Sequence, residues 1–167
     1  MSDPIPIFPF LAACLTLLSV LTWIIIIALS VSDSHSDKEK KTKKRLLLFF
    51  IYSAGAWIFM ITYTYFPSVA TWFNTVGYFS LIMVPVQSYC FICALSEDEH
   101  TENFSNWHYF IPVTIIVILS LWSQYVDWDV QMWLIKNRGA LAPGNEAYSY
   151  FFLSLLYVYA LLLFIPH

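Results

Sequence analysis

Charge is scarce in this chain. Of its 167 residues only 11% are Asp, Glu, Lys or Arg, against the roughly 25% of soluble globular domains, which excludes an ordinary water-soluble fold. Glycine is scarce too, with four residues, and there is no glycine-rich phosphate loop, no His-Glu-x-x-His and no Ser set between glycines in an elbow. With few titratable groups in or beside the apolar stretches, no enzymatic activity is expected. The three cysteines, Cys14, Cys90 and Cys93, all fall in apolar runs, so no structural disulfide is expected. What remains is apolar: 59% hydrophobic and 19% aromatic, with a mean hydropathy of +0.66. For such a chain the informative count is of membrane-crossing helices.

Five apolar runs stand out, at about 5–31, 46–66, 72–95, 107–125 and 148–165, and they predict one all-α domain over 1–167, a polytopic membrane helix bundle. The first run has no charge between Asp3 and Asp33 and exceeds the roughly 20 residues that cross hydrocarbon. Its acidic start and its length both argue against a cleaved signal peptide. Pro4, Pro6 and Pro9 predict an irregular beginning. The second and third runs are joined by Pro67-Ser68-Val69-Ala70-Thr71, which predicts a hairpin with a tight outer turn. The fourth carries Trp107, His108 and Tyr109 at one end and Trp122 and Tyr125 at the other, as aromatic belts do. In the loop from Asp127 to Glu146, the segment Val126–Ile135 predicts a short amphipathic helix lying in the interface.

Orientation follows from one cluster. Six of the eight Lys and Arg residues, Lys38, Lys40, Lys41, Lys43, Lys44 and Arg45, lie between the first two runs. Basic residues beside a span stay on the cytoplasmic side, whereas Asp and Glu count for little. The expectation is a multi-pass protein of the cell inner membrane, N-terminus outside and C-terminus cytoplasmic, with the bilayer as its partner and self-association left open. The net charge of -3 sums a basic loop and an acidic one and describes neither. The fifth run ends at Ile165-Pro166-His167 with no basic anchor, which reads as a fragment of a longer chain.

The third run is chemically the richest. Gly77, Ser80, Val84, Gln87 and Phe91 recur at spacings of three and four, with Ser88 alongside, and a face with a Gln amide should look into the bundle, where it can find partners. Pro85 lies in the same stretch and removes a backbone donor. Tyr150, Ser154 and Tyr157 repeat the spacing on the fifth run. Two readings stand: helix packing with a tolerated kink, or a ligand-lined element whose sensing or bundle-interior residues are Ser80, Pro85, Gln87, Ser88, Tyr150 and Tyr157. Cys90-Phe91-Ile92-Cys93 has redox-like spacing, but it sits at the C-terminal end of an apolar helix, where the dipole does not lower a thiol pKa, so packing is the expected role. Glu97, Asp98, Glu99, His100 and Glu102 read as a solvated inner turn. No metal and no cofactor are expected. The sequon Asn103-Phe104-Ser105 falls on the inner side, where no glycan is added.

The run Pro85-Val86-Gln87-Ser88-Tyr89-Cys90-Phe91, followed by Leu95-Ser96, a polar loop and Trp107-His108-Tyr109-Phe110-Ile111-Pro112, resembles a known pattern: Pro-x-x-x-Tyr-x-aromatic, a Leu-Thr-like ending, then His-Phe-x-Pro. That pattern belongs to the multi-span membrane domain preceding the AraC-type helix-turn-helix domain of some Bacteroidetes regulators. In the family the His directly precedes Phe-x-Pro; here Tyr109 stands between. The resemblance implies a sensory or anchoring membrane domain of a transcription factor that would contact DNA only through a domain absent from these residues. The alternatives are the membrane domain of a sensor histidine kinase, or a small transporter or channel subunit. A transporter should show paired interrupted spans or intramembrane charges, and the chain has one proline kink.

Overall fold

The computed structural model describes residues 7–95, 107–137 and 140–164, apart from the side chains of 107, 108 and 156–164. The described residues form seven helices and no strand. They are α1 (Ile7–Ser32), α2 (Asp37–Tyr65), α3 (Pro67–Trp72), α4 (Asn74–Leu95), α5 (Trp107–Ser123), α6 (Trp128–Lys136) and α7 (Glu146–Phe164). Three of them, α1, α2 and α4, are long and apolar enough to cross a membrane, which marks a membrane protein. Five such spans were expected; α5 is shorter, at 17 residues.

α1 packs chiefly on α2, and Ile27 is its one buried residue. The remainder is clad in exposed Ile, Leu, Phe and Trp, the surface a helix presents to lipid tails. α2 begins at Asp37, well before the expected Leu46, because the basic run is itself helical. Lys, Glu and Arg are good helix formers, Asp37 and Glu39 occupy the first turn, where the helix dipole favours acids, and Glu39 pairs with Lys43 one turn on. That ammonium holds the Glu39 carboxyl below its ordinary value. At about 1.5 Å per residue, the 29 residues of α2 measure roughly 44 Å, more than the roughly 30 Å of hydrocarbon. The extra turns serve as a post: Lys43 Nζ donates to the Ser30 carbonyl near the end of α1 at 3.0 Å, and Thr42 Oγ1 donates to the Ala94 carbonyl near the end of α4 at 3.2 Å.

The tight outer turn expected at Pro67–Thr71 is instead a short helix, α3, with proline in its first turn, where a missing N–H costs nothing. The third span accordingly starts at Asn74. It runs unbroken through Pro85, and α5 likewise contains Pro112. The broadest helix contact is α2 against α4. It is close because it is glycine-lined: a Cβ on Gly77 would collide with the Phe59 ring, and one on Gly55 with Ser80 Oγ. Small residues let membrane helices approach in this way.

The apolar core lies toward the end carrying α3 and α6, opposite the basic run. Phe59, Ala70, Tyr78, Leu119, Leu134 and Phe152 are among its members, none more than 2% exposed. α6 differs from its expected place in the interface. Leu134 and Ile135 are fully buried, α6 packs on α3, and Trp72 and Trp128 meet with ring centroids 5.0 Å apart. The apolar face finds protein rather than lipid, so α3, α6 and the loop before α7 close this end as a folded cap.

Candidate functional site

Several side-chain hydrogen bonds hold the described part of the cap. Gln131 Nε2 donates to the carbonyls of Ser123 (2.8 Å) and Val126 (2.9 Å), which ties α6 to the end of α5. The hydroxyls of Ser123 and Tyr148 bond at 2.7 Å. Ser149 Oγ donates to the Asn145 carbonyl and accepts the Ala142 N–H at 3.0 Å. Thr71 Oγ1 donates to the Pro67 carbonyl. Gly144 takes a positive φ of 78°, open to glycine at little cost, and donates its N–H to Glu146 Oε1 at 2.9 Å. That bond holds the Glu146 carboxyl below its ordinary value.

Directly beneath this cap the pattern fails. Asn74 is 4% exposed and neither atom of its carboxamide has a partner; Tyr78, one turn on along α4, is fully buried with its hydroxyl unbonded. Leaving such a group buried and unpaired costs on the order of 1–3 kcal/mol, so three orphan atoms on one face need a reason. Tyr78 belongs to a ladder of rings. Phe59 lies 5.7 Å from Tyr63 and 5.0 Å from Tyr78, Tyr78 lies 5.1 Å from Phe152, and Phe152 lies 6.1 Å from Tyr148. No charged side chain belongs to the ladder; Asp127, Asp129, Lys136 and Glu146 of the cap are all exposed.

No family model, curated protein or solved structure matches this chain. The site must therefore be read from its own geometry.

A second polar group lies toward the basic end. Gln87 is 2% exposed and its Oε1 has no partner, while its side chain hydrogen-bonds Tyr109 of α5. The Tyr109 hydroxyl also accepts from Arg45 Nη1 at 2.8 Å and bonds Cys90 Sγ at 3.1 Å. One phenol thereby joins α2, α4 and α5. Beyond it, a cleft of about 450 Å³ lies between the start of α2 and the end of α4, lined by Lys38, Glu39, Thr42 and Lys43 among others.

The residues singled out in the sequence are scattered over these features. Ser80 is buried against Gly55 and spends its hydroxyl on the Val76 carbonyl at 3.0 Å. Pro85 and Gln87 are buried, and Ser88 is half-buried. Tyr150 is 63% exposed; α7 turns Tyr148 and Phe152 inward instead, so Tyr150 is not an interior residue. The side chains of Tyr157 and His108 lie outside the described residues, as do the acidic segment from Ser96 and the sequon. Cys93 interacts with Tyr89 and Cys90 with Tyr109, so both thiols meet phenols. Arg45 of the basic run reaches the Tyr109 hydroxyl on α5.

Sequence reasoning missed Asn74 and Tyr78. Asn74 sits at the boundary of its span, where a polar residue reads as loop, and tyrosine is common in membrane helices. The signal that could have found them is their spacing of four, which places a carboxamide and a phenol on one helical face.

Proposed function

We propose that this chain is the membrane-embedded sensory or anchoring domain of a bacterial regulator, crossing the inner membrane five times with its N-terminus outside and its basic end in the cytoplasm. The fourth and fifth crossings would be α5 and α7. The 17 residues of α5 span roughly 26 Å at 1.5 Å each, within the range of short crossing helices, and Phe110, Val113, Val117 and Leu121 give it an exposed apolar surface. The orientation rests on the basic run. The AraC type is favoured over a histidine kinase by the resemblance across roughly residues 70–115, and DNA would be met only through a further domain.

The observation that carries a sensory role is the polar interior. A domain that merely anchored would satisfy or omit its buried polar groups, whereas Asn74, Tyr78 and Gln87 all keep unbonded atoms. The Gln87–Tyr109–Arg45 relay links that interior to the start of α2's apolar part, so a shift of α4 would be felt at the basic end. In the full-length regulator, Gln87→Leu and Pro85→Ala should alter transcriptional output while membrane abundance stays at the wild-type level. Output that merely follows abundance in both variants would reduce the stripe to packing.

A further inference from the structure

We propose that the cleft between the start of α2 and the end of α4 holds the phosphate headgroup of an anionic phospholipid. The cleft has room for one: its volume is about 450 Å³, within the roughly 300–1,000 Å³ of small-molecule sites. Lys38, Thr42 and Lys43 line it from α2, and Ala94 and Leu95 from α4. Its depth in the bilayer fits as well. Thr42 and Lys43 stand one turn before Leu46, where the apolar part of α2 begins, which is roughly 5–6 Å along the axis at about 1.5 Å per residue. The headgroup layer on each side of the hydrocarbon has a similar thickness, about 5–7 Å. A phosphate at that level meets the two lysines. The acyl chains then have Leu95 and, one turn earlier, Ile92, both more than half exposed, as an apolar surface leading down into the hydrocarbon.

The lining selects for negative charge. Lys43 is fixed with its ammonium at the cleft by its bonds to Glu39 and to the Ser30 carbonyl, and an ammonium has three donors, so a phosphate oxygen can join without displacing either partner. Against Lys38 and Lys43 stands one acid in the lining, Glu39, which leaves the site net positive. Lys40, Lys41 and Lys44, all exposed, surround it and strengthen the attraction to an anionic leaflet, by about fivefold in affinity for each base close to the surface. A zwitterionic headgroup would bring its own ammonium against these lysines. Phosphatidylglycerol should therefore be preferred over phosphatidylcholine.

Lipid binding requires only that α2 crosses a bilayer and uses neither the direction of crossing nor the sensory reading, so the two can fail separately. The test uses the whole chain in detergent, with phosphatidylglycerol and phosphatidylcholine of the same chain length supplied in equal amounts, and native mass spectrometry to count the lipid retained. Phosphatidylglycerol should be retained in preference, mainly as one molecule per chain. Lys38→Gln combined with Lys43→Gln should cut that preference by about fivefold or more, whereas Lys40→Gln combined with Lys44→Gln, an equal loss of charge outside the lining, should leave most of it. Because Lys43 also holds the end of α1, Lys38→Gln alone and Ala94→Phe, which fills the cleft and keeps every charge, give a second comparison; each should weaken retention. Equal retention of the two lipids, equal loss from the two lysine pairs, or full retention in Ala94→Phe would overturn the proposal, the second of these leaving only a diffuse basic surface. A thermal midpoint raised as much by inorganic phosphate as by phosphatidylglycerol would overturn it too, since the cleft would then be a site for free phosphate.

Discussion

Tyr78 and Tyr148 present the same side chain to the same core and differ in whether the hydroxyl is bonded. Tyr148 exchanges a 2.7 Å hydrogen bond with Ser123, whereas Tyr78 has none. Removing a bonded buried hydroxyl costs about 0.5–1.5 kcal/mol, and more when the partner is left stranded, while removing an orphan one costs little or stabilises. Tyr148→Phe should therefore lower the unfolding midpoint of the detergent-solubilised chain, and Tyr78→Phe should leave it unchanged or raise it. Equal losses would mean that Tyr78 has a partner after all, such as a permanent water. The same contrast explains what the sequence conveyed at this scale. Gln87 announces itself as an amide in an apolar helix, but nothing in the residue types separates Tyr78 from Tyr148 or turns Tyr150 outward; that depends on how α7 is rotated against α4.

At the scale of the element, the α2–α4 seam is set by two glycines that face unequal neighbours. Phe59, opposite Gly77, is 2% exposed and hemmed in by the rings of Tyr63 and Tyr78, so it cannot retreat. Ser80, opposite Gly55, has a small hydroxyl that can rotate. Overpacking a well-filled core costs about 1–3 kcal/mol, and Gly77→Ala should cost that much, clearly more than Gly55→Ala. Thermal unfolding of the two variants reads the difference; equal effects would show that the seam opens uniformly. The long apolar runs were legible because α1, α2 and α4 owe their existence to uninterrupted hydrophobicity. The ends of those helices were not. The basic run looked like a loop because charge ends a membrane span, yet charge does not end a helix, and α2 continues out to Asp37 through its own Glu39–Lys43 pair. Pro67 looked like a turn and starts a helix instead. The amphipathic pattern of α6 was visible, but pattern alone does not say whether lipid or protein covers the apolar face, and here Leu134 and Ile135 enter the core.

For the molecule as a whole, the two ends are built differently. One is a helical post whose Lys43 and Thr42 hold the ends of α1 and α4, the other a hydrogen-bonded cap over unpaired polar groups. If the basic end is cytoplasmic, the cap faces outward, and the Gln87–Tyr109–Arg45 relay points toward the side on which an output domain would act. All of this depends on the number of crossings and their direction. A reporter active only in the cytoplasm, fused in turn after Arg45, Asn145 and Phe164, measures both at once. Five crossings with the basic run inside predict activity after Arg45 and Phe164 and none after Asn145; activity after Asn145 would mean that the chain returns no further than the three long helices take it, and silence after Arg45 would reverse the orientation and contradict the account.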